Sequence, residues 1–209
     1  MKNVCVLVSG GGSNLQSLID HVQNGTLAVH LCGVIASRDG VYALERAKQN
    51  GIPYQVVARK DFASKEAYNE AMLQAIERTG AEYLVLAGFL SILGETVIHR
   101  YANRILNIHP ALLPSFGGKG YYGLKVHQAA LDYGVKVTGA TVHFVDEGTD
   151  TGPIVLQESL AIAPEDTAES LQQRVMEIEH RILPRAVSLL VQGRLHVEGR
   201  HVSIEEEER

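Results

Sequence analysis

The 209-residue sequence has only two cysteines, Cys5 and Cys32, each inside an apolar, β-branched segment. That argues against a disulfide framework and reads as buried free thiols in a reducing compartment, with the cytoplasm as the default location. Long hydrophobic runs are also missing. The first apolar stretch, Val4 to Val8, is too short for a signal-peptide core, and no later one is long enough to span a bilayer. Nor is there an excess of positive charge: 19 Lys and Arg against 24 Asp and Glu leave a formal net charge of −5. The chain therefore has no general attraction for nucleic acid or anionic membranes, and any phosphate it binds must be held by a local device. The nine histidines are scattered, with no pair at zinc-ligand spacing on one helix, and EF-hand carboxylate spacing is absent. No metal is expected. Internal repeats and low-complexity linkers are lacking as well, and nothing in the composition fixes an oligomeric state.

What is present is an alternation of strand and helix. Val4–Val8 reads as a strand closed by Ser9-Gly10-Gly11-Gly12, and Leu15, Leu18, Ile19 and Val22 then recur at helical spacing up to a stop at Gly25. Val29–Ala36 and Tyr54–Val57 read as further strands, with a short helix Tyr42–Gln49 between them. Ser64 opens a longer helix to about Thr79, and Tyr83–Ala87 is apolar throughout, as a strand buried on both faces should be. A helix near Gly94–Tyr101 and a strand Ile105–Ile108 follow. This rhythm predicts an α/β fold: a Rossmann-like, mostly parallel sheet flanked by helices.

The second half adds an antiparallel hairpin, read as alternating strands Val135–Val145 and Ile154–Leu160. A helix from about Thr167 to Leu190 follows, which Pro184 should bend or break in two. Residues 1–193 read as a single catalytic domain. Residues 194–209 read as a small hairpin turning near Glu198-Gly199, then a solvated acidic end at Glu205–Glu208.

Strand, then SGGGSN, then helix is a phosphate-binding arrangement: free N–H groups and the helix dipole meet an anion, and glycine lets it approach. A nucleoside-triphosphate loop would need Lys and Ser/Thr after its last glycine, where Ser13 and Asn14 stand. The dinucleotide fingerprint is incomplete, because Leu15 holds its third glycine position and Ser37-Arg38 come where an acidic residue should end the second strand. A monophosphate site is the better reading; a plain tight turn is the alternative.

Asn107 and His109 share one side of a strand end, where α/β folds bind ligands. By spacing alone they could equally be a satisfied polar pair. Asp146, Glu147 and Asp150 crowd the loop within VHFVDEGTDTGP, which in isolation reads as a solvated acidic turn.

Taken together, SGGGSN, AGFLSIL, LNIHPALLPSF, the Val142–Pro153 loop and Glu179-His180 resemble the phosphoribosylglycinamide formyltransferase family from Val4 to about Gly193. The resemblance implies a catalytic trio of Asn107, His109 and Asp150, and a substrate phosphate held by Gly11, Gly12, Ser13 and Asn14. The helix segment Met176, Glu177, Ile178 and Glu179 would face the glycinamide end. The folate co-substrate, 10-formyltetrahydrofolate, would lie along Leu90, Ser91, Ile92 and Leu93, Asn107, and the loop Asp146, Glu147, Gly148, Thr149 and Asp150. Lys65 would meet its carboxylate tail. In this scheme Asn107 and a protonated His109 stabilise the developing oxyanion, and Asp150 raises the imidazole pKa.

Two departures from the family pattern stand out. Ser91 replaces an arginine that some members carry, and GGKGYYG (Gly117–Gly123) is longer than in some relatives; it is a lid or a permissive loop. Related tRNA formyltransferases carry an extra C-terminal domain and formyl-folate hydrolases an extra N-terminal one, so a transferase acting on small molecules is the expectation. A non-catalytic sugar-phosphate-binding module is the rival from another class.

Overall fold

Strand β1 (Lys2–Val8) is buried from Val4 to Val8, as an unbroken apolar run in the middle of a parallel sheet must be. The computed structural model describes residues 1–205; residues 206–209, which hold most of the acidic end, lie outside the described residues. The chain divides into two compact units, Met1–Leu106 and residues 107 onward, with the boundary inside strand β5 (Ile105–His109).

In the first unit β1 is followed by α1 (Ser13–Gln23), β2 (Val29–Ala36), α2 (Tyr42–Gln49), β3 (Tyr54–Val56), α3 (Lys65–Arg78), β4 (Tyr83–Leu86) and α4 (Glu95–Arg100). The order is β3-β2-β1-β4, and β1–β2, β1–β4 and β2–β3 pair in parallel. Helix α1 buries Leu15, Leu18 and Ile19, and α3 buries Tyr68, Met72, Ala75 and Ile76, both at helical period. Ser64 caps α3, its hydroxyl accepting from the Ala67 N–H at 3.1 Å.

In the second unit come α5 (Leu124–Tyr133), β6 (Val137–Phe144), β7 (Ile154–Ala161), α6 (Ala168–Val191), β8 (Leu195–Glu198) and β9 (His201–Ile204). The end of β5, β6 and β7 lie in that order, and β6 pairs antiparallel with β7; β8 and β9 form a separate hairpin. The mostly parallel sheet, its flanking helices and the antiparallel hairpin are as the sequence predicts.

Three local features differ from what the sequence suggests. Helix α5, within the stretch after the glycine-rich segment, goes unnoticed in the sequence. Strand β6 does not alternate: it is buried from Thr138 to Phe144, and only β7 shows the in-out pattern. Pro184 does not divide α6, which is assigned as one helix with a buried proline inside it. The proline sits among Leu183, Ala186 and Val187 on a packed stripe, and tertiary burial outweighs the lost backbone hydrogen bond.

A buried threonine ties the chain after β5 into place. The Thr141 hydroxyl donates to the Ala111 carbonyl at 2.6 Å and accepts from the Leu113 N–H at 3.1 Å and from Gln157 Nε2 at 2.9 Å. Gln157 Nε2 also reaches the Leu113 carbonyl at 3.0 Å. Three backbone groups of the HPALLPS segment, the Ala111 and Leu113 carbonyls and the Leu113 N–H, are thereby paired. No helix among the described residues is long and apolar enough to cross a membrane.

Candidate active site

Strand β5 sends Asn107 and His109 to one side, and the loop between β6 and β7 brings Asp150 to them. Asp150 takes a left-handed backbone, φ 58°, which a short polar side chain tolerates better than most. Its carboxylate is nearly enclosed, with a side-chain exposure of 12%. Oδ2 accepts from the Gly118 N–H at 2.9 Å and lies 3.5 Å from His109 Nδ1; Oδ1 accepts from Asn107 Nδ2 at 3.3 Å. The three residues singled out as a trio are thus brought together in the second unit.

A fourth member was missed in the sequence. His143, on β6 and 2% exposed, donates from Nδ1 to the Phe144 carbonyl at 2.8 Å. Its Nε2 is then an acceptor, filled by Asn107 Nδ2 at 3.0 Å, and it stands 3.6 Å from Asp150 Oδ1. Two acceptors around one amide nitrogen fix which way the Asn107 side chain faces. Both of its amide hydrogens already have partners, and the longer bond, to Asp150, is the one a reacting oxygen can compete for. The only sequence signal for His143 was a lone histidine in an apolar strand; its partner stands 36 positions away.

His109 Nε2 donates to the Phe116 carbonyl at 2.8 Å, which leaves Nδ1 as the ring nitrogen free for proton transfer. Phe116 is itself left-handed, φ 51°, and its ring meets Tyr121 and Tyr133 edge-on at centroid distances of 6.1 and 6.0 Å. The Gly117–Gly123 segment therefore begins inside the site: Phe116 holds the histidine, and the Gly118 amide holds the aspartate.

The electrostatics correct one expectation. Burial pushes His109 below the ordinary imidazole range; the Asp150 charge and the Phe116 carbonyl oppose this without overcoming it. The protein alone thus favours a neutral His109. For Asp150, burial resists ionisation, but its neighbours His143 and His109 and the Gly118 amide together hold its carboxyl below the usual carboxylate value.

His127, on α5, is 2% exposed, and its Nδ1 has no hydrogen-bond partner. Burial, with a smaller contribution from His109, pushes its pKa down to about 4. The unfolded chain binds this proton at the ordinary imidazole pKa of 6.5, so the stability tied to neutral His127 is complete above that pH and is lost as pH falls toward 4. The full difference is on the order of 3 kcal/mol. Urea unfolding at pH 7 and pH 4.5 should show a marked loss for the native protein and a clearly smaller one for His127→Leu. Equal losses would remove the assignment.

The remaining expected site residues divide between the units. In the first unit, Gly11, Gly12, Ser13 and Asn14 run from the loop into the first turn of α1. Lys65 is exposed at the start of α3. Leu90 and Ile92 are 54% and 64% exposed, unusual for apolar side chains, while Leu93 is buried. In the second unit, Asp146 Oδ1 accepts from the Gly148 N–H at 3.1 Å and the Thr151 hydroxyl at 2.6 Å, so that carboxylate shapes its own loop, and Glu147, Gly148 and Thr149 are exposed along it. On α6, Met176 and Glu179 are half-buried and Glu177 is exposed, but the Ile178 side chain is in the core. Ile178 continues the Leu171, Val175, Ile182 stripe, so its side chain does not serve as a substrate contact. Among the described residues no group of three His, Cys, Asp or Glu is arranged to hold a metal ion.

A fold of this kind with an Asn-His-Asp cluster at a strand end is that of a formyl-transferring enzyme class, and residues 2–187 match the Formyl transferase family model. The chain belongs to that family. It is 43% identical over 194 residues to the trifunctional purine biosynthetic protein adenosine-3 of Drosophila melanogaster, covering 92% of this chain and 14% of that protein. It is 39% identical over 197 residues to the phosphoribosylglycinamide formyltransferase of Haemophilus influenzae, covering 94% of this chain and 91% of that one. Among solved structures, glycinamide ribonucleotide transformylase 1 from Symbiobacterium toebii superposes with a TM-score of 0.93 at 39% identity, over 99% of this chain and 95% of that one. The chain thus spans nearly all of the single-function relative and under a fifth of the trifunctional ones.

Proposed function

We propose that this chain transfers the formyl group of 10-formyltetrahydrofolate to the glycinamide amine of 5-phosphoribosylglycinamide, a step of de novo purine biosynthesis. The observation that carries the reading is the meeting of Asn107, His109 and Asp150, with His143 behind them, in a chain of the formyl transferase family. The glycine loop serves the phosphate, and the Asn107, His109 and Asp150 cluster serves the chemistry. Exposed Leu90 and Ile92 suit the flat apolar face of a pterin, and Lys65 suits the folate's carboxylate tail. Met176, Glu177 and Glu179 serve the glycinamide end, with Ile178 contributing backbone alone. The partners are these small molecules and the location is the cytoplasm.

The formyl-folate supplies an electrophilic carbonyl carbon. The attacking amine must be neutral, and it gains positive charge as the carbon–nitrogen bond forms. Neutral His109 takes a proton at Nδ1, where the Asp150 carboxylate stabilises the imidazolium, and returns it to the departing folate nitrogen. Asn107 turns an amide hydrogen from Asp150 to the formyl oxygen as negative charge grows there. His143 keeps the Asn107 amide in the orientation this requires. Asp150 acts on the histidine, and a direct role for it as a base is not needed.

The test is a spectroscopic assay of formyl-folate consumption with and without phosphoribosylglycinamide, in the presence of a chelator. Consumption that depends on the acceptor is the expected result. Equal consumption without it identifies a hydrolase, and acceptor binding without turnover identifies a binding module.

A further inference from the structure

The glycine loop is gripped from behind along its whole length. Arg38 Nε donates to the Ser9 carbonyl at 2.7 Å, and the Ala43 N–H to the Gly10 carbonyl at 3.2 Å. Arg46 Nε donates to the Gly11 carbonyl at 2.8 Å, and the Gln16 N–H to the Gly12 carbonyl at 2.9 Å. Four consecutive carbonyl oxygens therefore have assigned donors. In a planar trans peptide the N–H points opposite to its C=O. Fixing the oxygens of residues 9 to 12 thus fixes the amide hydrogens of Gly10, Gly11, Gly12 and Ser13 on the other side.

Two of those four donors are guanidinium groups. A cation on the carbonyl of a peptide polarises that peptide and strengthens its N–H as a donor, so Gly10 and Gly12 gain most. Arg46 is the better anchored of the two. Its Nη1 reaches Gln16 Oε1 on α1 at 3.0 Å, and its guanidinium lies 4.9 Å over the Tyr42 ring on α2. It bridges loop, α1 and α2. Close packing completes the grip: Gly12 has φ 73°, and a Cβ there would lie 2.7 Å from Ala43 Cβ.

We propose that Arg46, seconded by Arg38, is a positioning residue for phosphate recognition: it sets the direction and donor strength of the glycine-loop amides and adds positive charge beside them in a chain of net charge −5. The proposal rests on the reading that Gly11 to Asn14 receive the phosphate of the acceptor. It makes the loop selective for a phosphomonoester dianion over the uncharged ribosyl acceptor.

The experiment compares Arg46→Met, Arg46→Lys and Arg38→Met with the native protein in steady-state kinetics and in calorimetric titration with inorganic phosphate. Arg46→Met should raise KM for phosphoribosylglycinamide about tenfold, the size expected when one charge-assisted bond is lost. KM for formyl-folate and kcat should stay within about twofold, and phosphate affinity should fall by the same factor as acceptor affinity. Arg46→Lys, which keeps charge without the Nε geometry, should fall between. A native phosphate affinity in Arg46→Met overturns the proposal, as does an equal rise of both KM values. If Arg46→Met does not fold, Arg38→Met carries the same comparison with a smaller expected rise. The phosphate titration needs no turnover, so it decides the proposal even if the acceptor proves to be another phosphate ester.

Discussion

Asp150→Asn should lower kcat by about two to three orders of magnitude while leaving the fold intact. A unit charge 3.5 Å from His109 Nδ1 is worth roughly 4–5 kcal/mol to the imidazolium at an effective dielectric near 20, and part of that is recovered by solvent and neighbouring dipoles. Asparagine has nearly the same shape, tolerates the left-handed backbone, and can still accept from the Gly118 N–H. The pH profile should move with the rate. The Asp150 charge opposes the burial that lowers the His109 pKa, so removing it lowers that pKa further. The acid limb, along which His109 loses its proton and becomes a competent base, should shift to lower pH as the plateau falls. Steady-state kinetics between pH 5 and 8.5 check both. An unchanged rate and profile would remove the aspartate from the mechanism.

His109→Gln should cost more, about 10²–10⁴ in kcat, because general acid–base transfer is lost outright. Glutamine keeps a donor for the Phe116 carbonyl, so KM for either substrate should change only a few-fold. The acid limb assigned to His109 should also disappear. A variant that kept that limb would place the titrating group elsewhere. Rapid-quench single-turnover measurements separate this chemical step from product release.

How far the sequence alone reaches depends on how local the signal is. Val29–Ala36 and Tyr42–Gln49 are bounded by glycine, polar turns and a change of apolar period, and their ends agree with the structure. Asn107 and His109 were legible because they alternate on one strand and sit in a specific string, and Asp150 because it lies in the associated loop. His143 was not, because its role depends on strand alignment across 36 residues, where its neighbours read simply as core. Helix α5 follows the GGKGYYG segment, whose glycines signal a loop although Val126 and Ala130 keep a helical period just beyond. The lowered His109 pKa was out of reach for another reason. Its partner Asp150 was visible in the sequence, but the degree of burial that outweighs that partner is a property of the packed fold. Arg38 and Arg46 look like ordinary surface charges until the carbonyls they bind are known.

The central claim is that the formyl carbon passes from folate to the amine of the sugar phosphate. Formyl-folate carrying ¹³C at the formyl position, incubated with the protein and phosphoribosylglycinamide, would be followed by NMR. The account predicts that the label appears in a new N-formyl amide in step with its loss from the donor. Label accumulating as free formate, with the acceptor amine unchanged, would contradict it.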